Sequence, residues 1–142
     1  PEISGAIRKV HDFLTVGAPH PLQEAAARIL PLADSLLQSL AQEYQERRDV
    51  FVQGLREAGI DAARPPEGAY YILANIGQYG FPDDTQFAHW LVKEIGVAGV
   101  PGSSFYRDPR DGYDKIRFCF PKKLDTLRAA CSRLSKLRER TA

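Results

Sequence analysis

Arg117 is the residue of this sequence whose setting best suits the binding of an anionic small molecule. It lies in the segment Lys115–Phe120, where apolar and polar residues alternate, and this pattern predicts a β-strand. The alternation puts three residues on each face: Ile116, Phe118 and Phe120 on one, Lys115, Arg117 and Cys119 on the other. A guanidinium on a strand presents a rigid fork of N–H donors that matches the two oxygens of a carboxylate. The alternatives are an ordinary exposed arginine or one paired with a structural acid.

The other residue types that could do chemistry do not form a site. His11, His20 and His89 are far apart, and no cysteine or acid accompanies them at metal-ligand spacing. Ser103 and Ser104 follow a glycine, but the second glycine of a nucleophile elbow is missing. We therefore expect neither a bound metal nor a serine nucleophile.

The pattern of the chain predicts a small sheet that would hold Arg117. Strands are predicted at 69–76, 97–100 and 115–120, and helices at 4–14, 21–30, 32–58, 85–95 and 124–138. This order predicts an α/β two-layer fold, in which helices cover a small mixed or antiparallel three-stranded sheet and further helices precede it. The helix at 21–30 is mostly alanine and leucine, so we expect it to be buried on more than one side.

Composition limits the classes of partner. The 142 residues include 44% hydrophobic and 26% charged residues, which is ordinary for one globular domain. A net charge of +1 offers no broad field to attract nucleic acid or an anionic membrane. Cys119 and Cys131 have no paired spacing and are typical of reduced thiols in a cytoplasmic protein. The chain opens with Pro1 and contains no methionine, so we expect a fragment or a processed product.

Five stretches resemble the C-terminal part of class I/II (fold-type I) aminotransferases, most closely the kynurenine, methionine and aromatic aminotransferase-like branch. They follow the family order: His20–Ala25, Tyr44–Asp49, Pro66–Tyr71, Gly96–Tyr106 and Ile116–Lys122. Any one of these stretches is a weak signal, whereas the ordered set covers nearly the whole chain and is specific.

The resemblance implies a role for Arg117 and a set of partners. In that family the matching strand arginine binds the α-carboxylate of amino-acid and keto-acid substrates. Phe105, in the turn at the mouth of the same cleft, is a second candidate for substrate contact, with core packing as its alternative. The loop 15–21 corresponds to a segment near the interface of a homodimer.

The resemblance also implies what lies outside this chain. The family's Schiff-base lysine stands in a Ser-Lys motif followed by Gly-x-Arg, and no lysine here has that setting. We therefore expect no catalytic residue in this chain and no pyridoxal phosphate bound to it, since the large domain of the whole enzyme carries both. Residues 1–31 are interpreted as a helical segment that bridges to the large domain and dimer interface, and 32–142 as the C-terminal small domain.

Two further expectations concern the substrate and the function class. No arginine lies between Arg8 and Arg28, where aspartate aminotransferases hold a distal carboxylate, so a neutral side chain is the better prediction. The alternative to an enzyme fragment is a stand-alone amino-acid-binding regulatory or interaction α/β domain without catalysis. Binding of amino acids by the isolated chain would separate the two.

Overall fold

The structure, a computed structural model, describes residues 2–60 and 64–138. Within that range the helices are α1 (Glu2–Thr15), α2 (His20–Ile29), α3 (Ala33–Glu57), α4 (Asp84–Trp90) and α5 (Leu124–Leu134), and the strands are β1 (Tyr71–Asn75), β2 (Val100–Pro101) and β3 (Lys115–Cys119). Two compact units divide between Leu40 and Ala41, inside α3. The predicted segments 1–31 and 32–142 include residues 1, 61–63 and 139–142, which lie outside the described residues.

The first unit contains two helices without a buried residue. In α1 four apolar residues recur every three or four positions, and all of them are more than half exposed: Ile3, Ile7, Val10 and Leu14. The prediction that the helix at 21–30 is buried on more than one side is wrong for this chain, because no residue of α2 is buried. Alanine and leucine make a helix suited to burial, but burial needs a covering element, and no described residue covers α2.

Helix α3 has an exposed beginning and a buried end. Pro31 lies in a 3-10 turn, Leu30–Leu32, which separates α2 from α3. This agrees with the predicted helices at 21–30 and 32–58, which leave out Pro31. Near the end of α3, Phe51 and Leu55 are 2% and 0% exposed. Both belong to an apolar stripe along the helix, which consists of Leu37, Leu40, Tyr44, Phe51 and Leu55. Leu37, at the beginning of this stripe, is 61% exposed. The stripe therefore belongs to the core only in its second half.

The sheet is antiparallel throughout, with β3 between β1 and β2. Alternate residues of β1 and β3 are buried on one face, among them Ile72, Ile116 and Phe118. Phe118 meets the α3 ring of Phe51 edge to face, with the ring centroids 5.8 Å apart. The predicted α/β fold and the predicted alternation along β3 are confirmed, and the sheet is the antiparallel one of the two predicted forms.

The second strand is shorter and later than predicted. The sequence predicts a strand at 97–100, whereas only Val100 and Pro101 pair with β3. Just before them, Gly99 lies against the side chains of Ile116 and Phe118. A Cβ built on Gly99 would be 2.5 Å from Ile116 Cδ1. Close contact over these side chains takes the place of a regular ladder at residues 97–99.

Helix α4 starts at a pair of aspartates with different roles. Asp83 is the N-cap, and its Oδ1 accepts the N–H of Gln86 at 2.8 Å. Asp84, the next residue, is completely buried. The helix continues as a π-helical turn, Leu91–Ile95, and ends at Gly96 with φ 74°. None of the helices within residues 2–60 and 64–138 has the length and apolar character needed to cross a lipid bilayer.

The exposed apolar stripe of α1 predicts that the isolated 142-residue chain self-associates, since a contiguous apolar face drives association in water. Changing Ile7 and Leu14 together to Glu should lower the mass measured by analytical ultracentrifugation at high concentration. Ser4 and His11 have the same seven-residue separation on a polar side of α1. Their double change to Glu is the control and should leave the mass unchanged. A wild-type chain that stays a monodisperse monomer would contradict the prediction.

Candidate substrate-binding site

Arg117 occupies the centre of the sheet. It pairs with Leu73 of β1 on one side and with Val100 of β2 on the other. Because β3 is paired with a strand on each side, its backbone is restricted. The Cα–Cβ direction of Arg117 is therefore set by the sheet rather than by a loop. The side chain leaves the face opposite the aromatic core, as the alternation predicts.

Two aromatic rings contact the guanidinium of Arg117. Its Cζ lies 4.4 Å from the ring centroid of Phe105 and 5.1 Å from that of Tyr71. Both distances are within the range at which a ring attracts a cation through its quadrupole. Tyr71 comes from β1 and Phe105 from the 3-10 turn Gly102–Phe105 that follows β2. Three separate segments therefore fix one cation on the open face of the sheet.

The guanidinium has no acidic partner among the described residues. None of the ion pairs or side-chain hydrogen bonds in residues 2–60 and 64–138 involves Arg117. Its Nε is buried and lacks a hydrogen-bond acceptor within the same range. A structural ion pair, one of the alternatives for this arginine, is therefore not formed by the described residues. A buried donor without an acceptor is costly. Nε is the only guanidinium nitrogen among the buried unpaired atoms of the described residues, so a ligand would reach Arg117 through its two terminal nitrogens.

Phe105 lies at the site and not in the core. The residue is 46% exposed, and its ring is the one nearer to the guanidinium of Arg117. The core-packing alternative for Phe105 therefore does not describe its surroundings. Together with Tyr71 it gives the site an apolar wall beside the cation.

The turn that carries Phe105 is packed backbone against backbone. A Cβ on Gly102 would lie 2.6 Å from the carbonyl oxygen of Gly112, and a Cβ on Gly112 would lie 2.5 Å from Ser103 N. Any larger residue at either position would force the two chain segments apart. The two glycines thus fix the turn against the segment that leads into β3.

The sequence reasoning missed Tyr71 and the burial of Asp84. The local signal for Tyr71 is its place on β1, two residues before Leu73, which puts both side chains on the face of Arg117. The pattern Pro82-Asp83-Asp84 before the predicted helix at 85–95 is typical of a helix cap, but nothing in it separates the capping aspartate from the buried one.

The lysines on and just after β3, Lys115 and Lys122, do not fit a Schiff base with pyridoxal phosphate. A lysine that forms a Schiff base must present a neutral amine. The only lysine on β3 is Lys115, whose ammonium group forms a hydrogen-bonded ion pair with Asp114. This contact raises the pKa of Lys115 and so keeps it an ammonium ion. Lys122 is exposed, and it lines a cleft of about 720 Å³ that Arg117 also lines, whereas neither Tyr71 nor Phe105 borders this cleft. The cofactor would have to be held by residues outside those described.

Comparisons with known proteins identify the family of this chain. The family model "Aminotransferase class I and II" matches residues 1–134. The methionine aminotransferase of Escherichia coli is 39% identical over 135 residues, which are 95% of this chain and 34% of that protein. A probable N-succinyldiaminopimelate aminotransferase of Mycobacterium tuberculosis is 33% identical, over 99% of this chain and 37% of its own length. The chain thus spans about a third of the length of these relatives.

Solved structures give the same result. A crystal structure from Escherichia coli, described as a methionine aminotransferase, superimposes with a TM-score of 0.82 at 38% identity, covering 96% of this chain and 35% of its own. A putative kynurenine aminotransferase of Saccharomyces cerevisiae superimposes with a TM-score of 0.83 at 26% identity, covering 98% and 36%. Since the family model matches nearly the whole chain, this protein belongs to the class I and II aminotransferases.

Proposed function

We propose that this chain is the part of a pyridoxal-phosphate-dependent aminotransferase that binds the α-carboxylate of amino-acid and keto-acid substrates through Arg117. The observation that carries the proposal is the guanidinium held between Phe105 and Tyr71 with no acidic partner among the described residues. Pyridoxal phosphate supplies the electron sink for amino transfer, and it would be bound by the large domain of the whole enzyme, with none bound to this chain.

The contribution of this chain is to hold and orient the substrate. A guanidinium and a carboxylate can form two parallel charge-assisted hydrogen bonds, which set the direction of the substrate as well as its affinity. Fixing the carboxylate in this way holds the reacting amino acid in one defined orientation. Correct orientation of a substrate supplies a large part of the lowering of the reaction barrier. The two rings next to the guanidinium reduce its contact with water and thereby strengthen an ion pair formed there.

We also propose that the substrate side chain is neutral. Phe105, Tyr71 and Leu73 give the neighbourhood of Arg117 an apolar surface, and a second arginine for a distal carboxylate is absent from the loop 15–21. The relatives include proteins named for methionine and for kynurenine, which both have uncharged or apolar side-chain portions. L-methionine is therefore the probe chosen below.

The partners proposed for the whole enzyme are its large domain and a second copy of itself. We assign residues 1–31 to the contacts with the large domain and the homodimer interface, and 32–142 to the small domain. The exposed apolar residues of α1 and α2 support this assignment, because such surfaces are usually covered. The free thiols of Cys119 and Cys131 support a location in the cytoplasm, where cysteines stay reduced.

Replacing Arg117 by alanine in the whole enzyme should lower kcat/KM for L-methionine roughly ten- to a hundredfold, because a charge-assisted bidentate contact is lost. The loss should be much smaller for methioninamide, which has no carboxylate. The measurement is the acid preference, defined as kcat/KM for L-methionine divided by kcat/KM for methioninamide. Arg117→Lys should recover only part of it, since lysine keeps the charge but not the fork of donors.

The control for this experiment is Arg128→Ala. Arg128 lies on α5, is 61% exposed and forms an ion pair with the exposed Asp125, so its removal takes away one cation that contacts neither Phe105 nor Tyr71 among the contacts of the described residues. Its acid preference should equal that of the wild type. An Arg117→Ala enzyme with unchanged acid preference would refute the carboxylate assignment.

The isolated 142-residue chain should not transaminate, because its described lysines do not fit the cofactor. Mixed with pyridoxal phosphate, L-methionine and a keto acid, it should yield no keto acid from methionine. Calorimetry with L-methionine should detect little or no binding, since the proposed site needs the large domain for its other wall. Clear binding without turnover would favour the alternative, a stand-alone amino-acid-binding module, and keto-acid product would overturn the fragment proposal.

A further inference from the structure

Asp84 is a buried carboxylate that the carboxylate-binding role of Arg117 does not explain. It is the first residue of α4 and is 0% exposed. Its Oδ2 accepts the backbone N–H of Ser103 at 2.6 Å, across a separation of 19 residues. Its Oδ1 is buried without a hydrogen-bond partner among the described residues. Burial of a carboxylate is costly, and the neighbouring Asp83 already caps α4, so the helix itself does not require Asp84.

The hydrogen bond from Ser103 meets a need of the turn Gly102–Phe105. The first N–H groups of any helical turn lack partners within it, and a side chain at the N-cap usually accepts one of them. Here the N-cap residue is Pro101, which makes no side-chain cap. Asp84 supplies the missing acceptor from another helix, and its position at the N-terminus of α4 favours a negative group there.

The same turn is fixed on its other side and ends at the site. Gly102 and Gly112 meet backbone against backbone, which leaves no freedom for the turn to move toward β3. Ser103 lies two residues before Phe105, whose ring is 4.4 Å from Cζ of Arg117. Loss of the Asp84 contact would release the turn from α4 and let the ring of Phe105 leave the guanidinium.

We propose that Asp84 is a positioning residue of the substrate site, which holds the turn Gly102–Phe105 so that Phe105 fixes the guanidinium of Arg117. This inference rests on the carboxylate-binding role of Arg117 and extends it to a residue that does not touch the substrate. Asp84 accepts the N–H of Ser103 in the turn, the turn places Phe105 at its end, and the ring of Phe105 contacts the guanidinium of Arg117.

The test uses the whole enzyme and the acid preference defined above. Asp84→Ala should lower the acid preference about tenfold, the size expected when one hydrogen bond that orders a site is lost. Asp84→Asn should restore it, because the amide oxygen still accepts the N–H of Ser103. In the Arg117→Ala background Asp84→Ala should have no further effect, since the group that it positions is gone.

The matched control is Asp83→Ala. It removes the cap of α4 one residue earlier and leaves the acceptor for Ser103 in place, so it should lower the thermal midpoint without changing the acid preference. An equal loss of acid preference in Asp83→Ala and Asp84→Ala would assign the effect to the start of the helix and overturn the inference. So would full acid preference in a folded Asp84→Ala enzyme.

A measurement on the wild type covers the case in which Asp84→Ala does not fold. Hydrogen exchange resolved to Ser103 should show a protected amide, and an amide that exchanges at the rate of an open loop would refute the contact. The outcome for Arg117 is read separately. If Arg117→Ala keeps its acid preference, the carboxylate assignment fails, whereas a loss in Arg117→Ala alone rejects only the role of Asp84.

Discussion

A cation–π contact fixes an arginine without using its N–H groups. The rings of Phe105 and Tyr71 attract the charge of Arg117 through their quadrupoles, and the donors of the guanidinium stay in its own plane. A carboxylate partner from within the chain would hold the side chain equally well, but it would occupy the donors that the proposed substrate carboxylate needs. The sheet and the turn Gly102–Phe105 place the two rings so that they hold the guanidinium and leave its donors free of an acidic partner among the described residues.

The antiparallel order of the strands allows three distant segments to meet at one guanidinium. Because β3 is central, Arg117 has a neighbour on each side, and β1 delivers Tyr71 to the same face. The opposite face is closed by aromatic packing such as that of Phe51 on Phe118. This apolar layer is closely packed and has no room for a charged side chain. The guanidinium of Arg117 therefore stays on the other face of β3.

Local pattern predicted the parts of this protein that depend on local physics. The alternation along β3 has a period of two, which follows from strand geometry alone, and it correctly separated Arg117 from the core residue Phe118. The bounds predicted for α3, residues 32–58, are close to the observed Ala33–Glu57. Local residues mark both ends, since Pro31 precedes the helix and Gly59, with φ 79°, follows it. The motif resemblance added the family, which the match over residues 1–134 confirms.

The features that the sequence did not predict depend on distant residues or on covering elements. Tyr71 reaches Arg117 through the strand register, and Asp84 meets the turn at Ser103 through a hydrogen bond that spans 19 residues of sequence. The exposure of α2 contradicts its composition, because composition reports how suited a helix is to burial and not whether this chain covers it. Strand β2 was misplaced because Gly99 packs over Ile116 instead of joining a ladder.

The crossing of Gly102 and Gly112 joins the two ends of the segment that connects β2 to β3. A segment whose ends are pinned together can change in length at little cost, about 0.6 kcal/mol for each doubling of a flexible loop. Arg107, Pro109 and Arg110 are exposed within it, whereas Phe105 lies next to the pinned end. Insertions after Tyr106 would therefore change the exposed part of this segment, while Phe105 stays beside the guanidinium of Arg117.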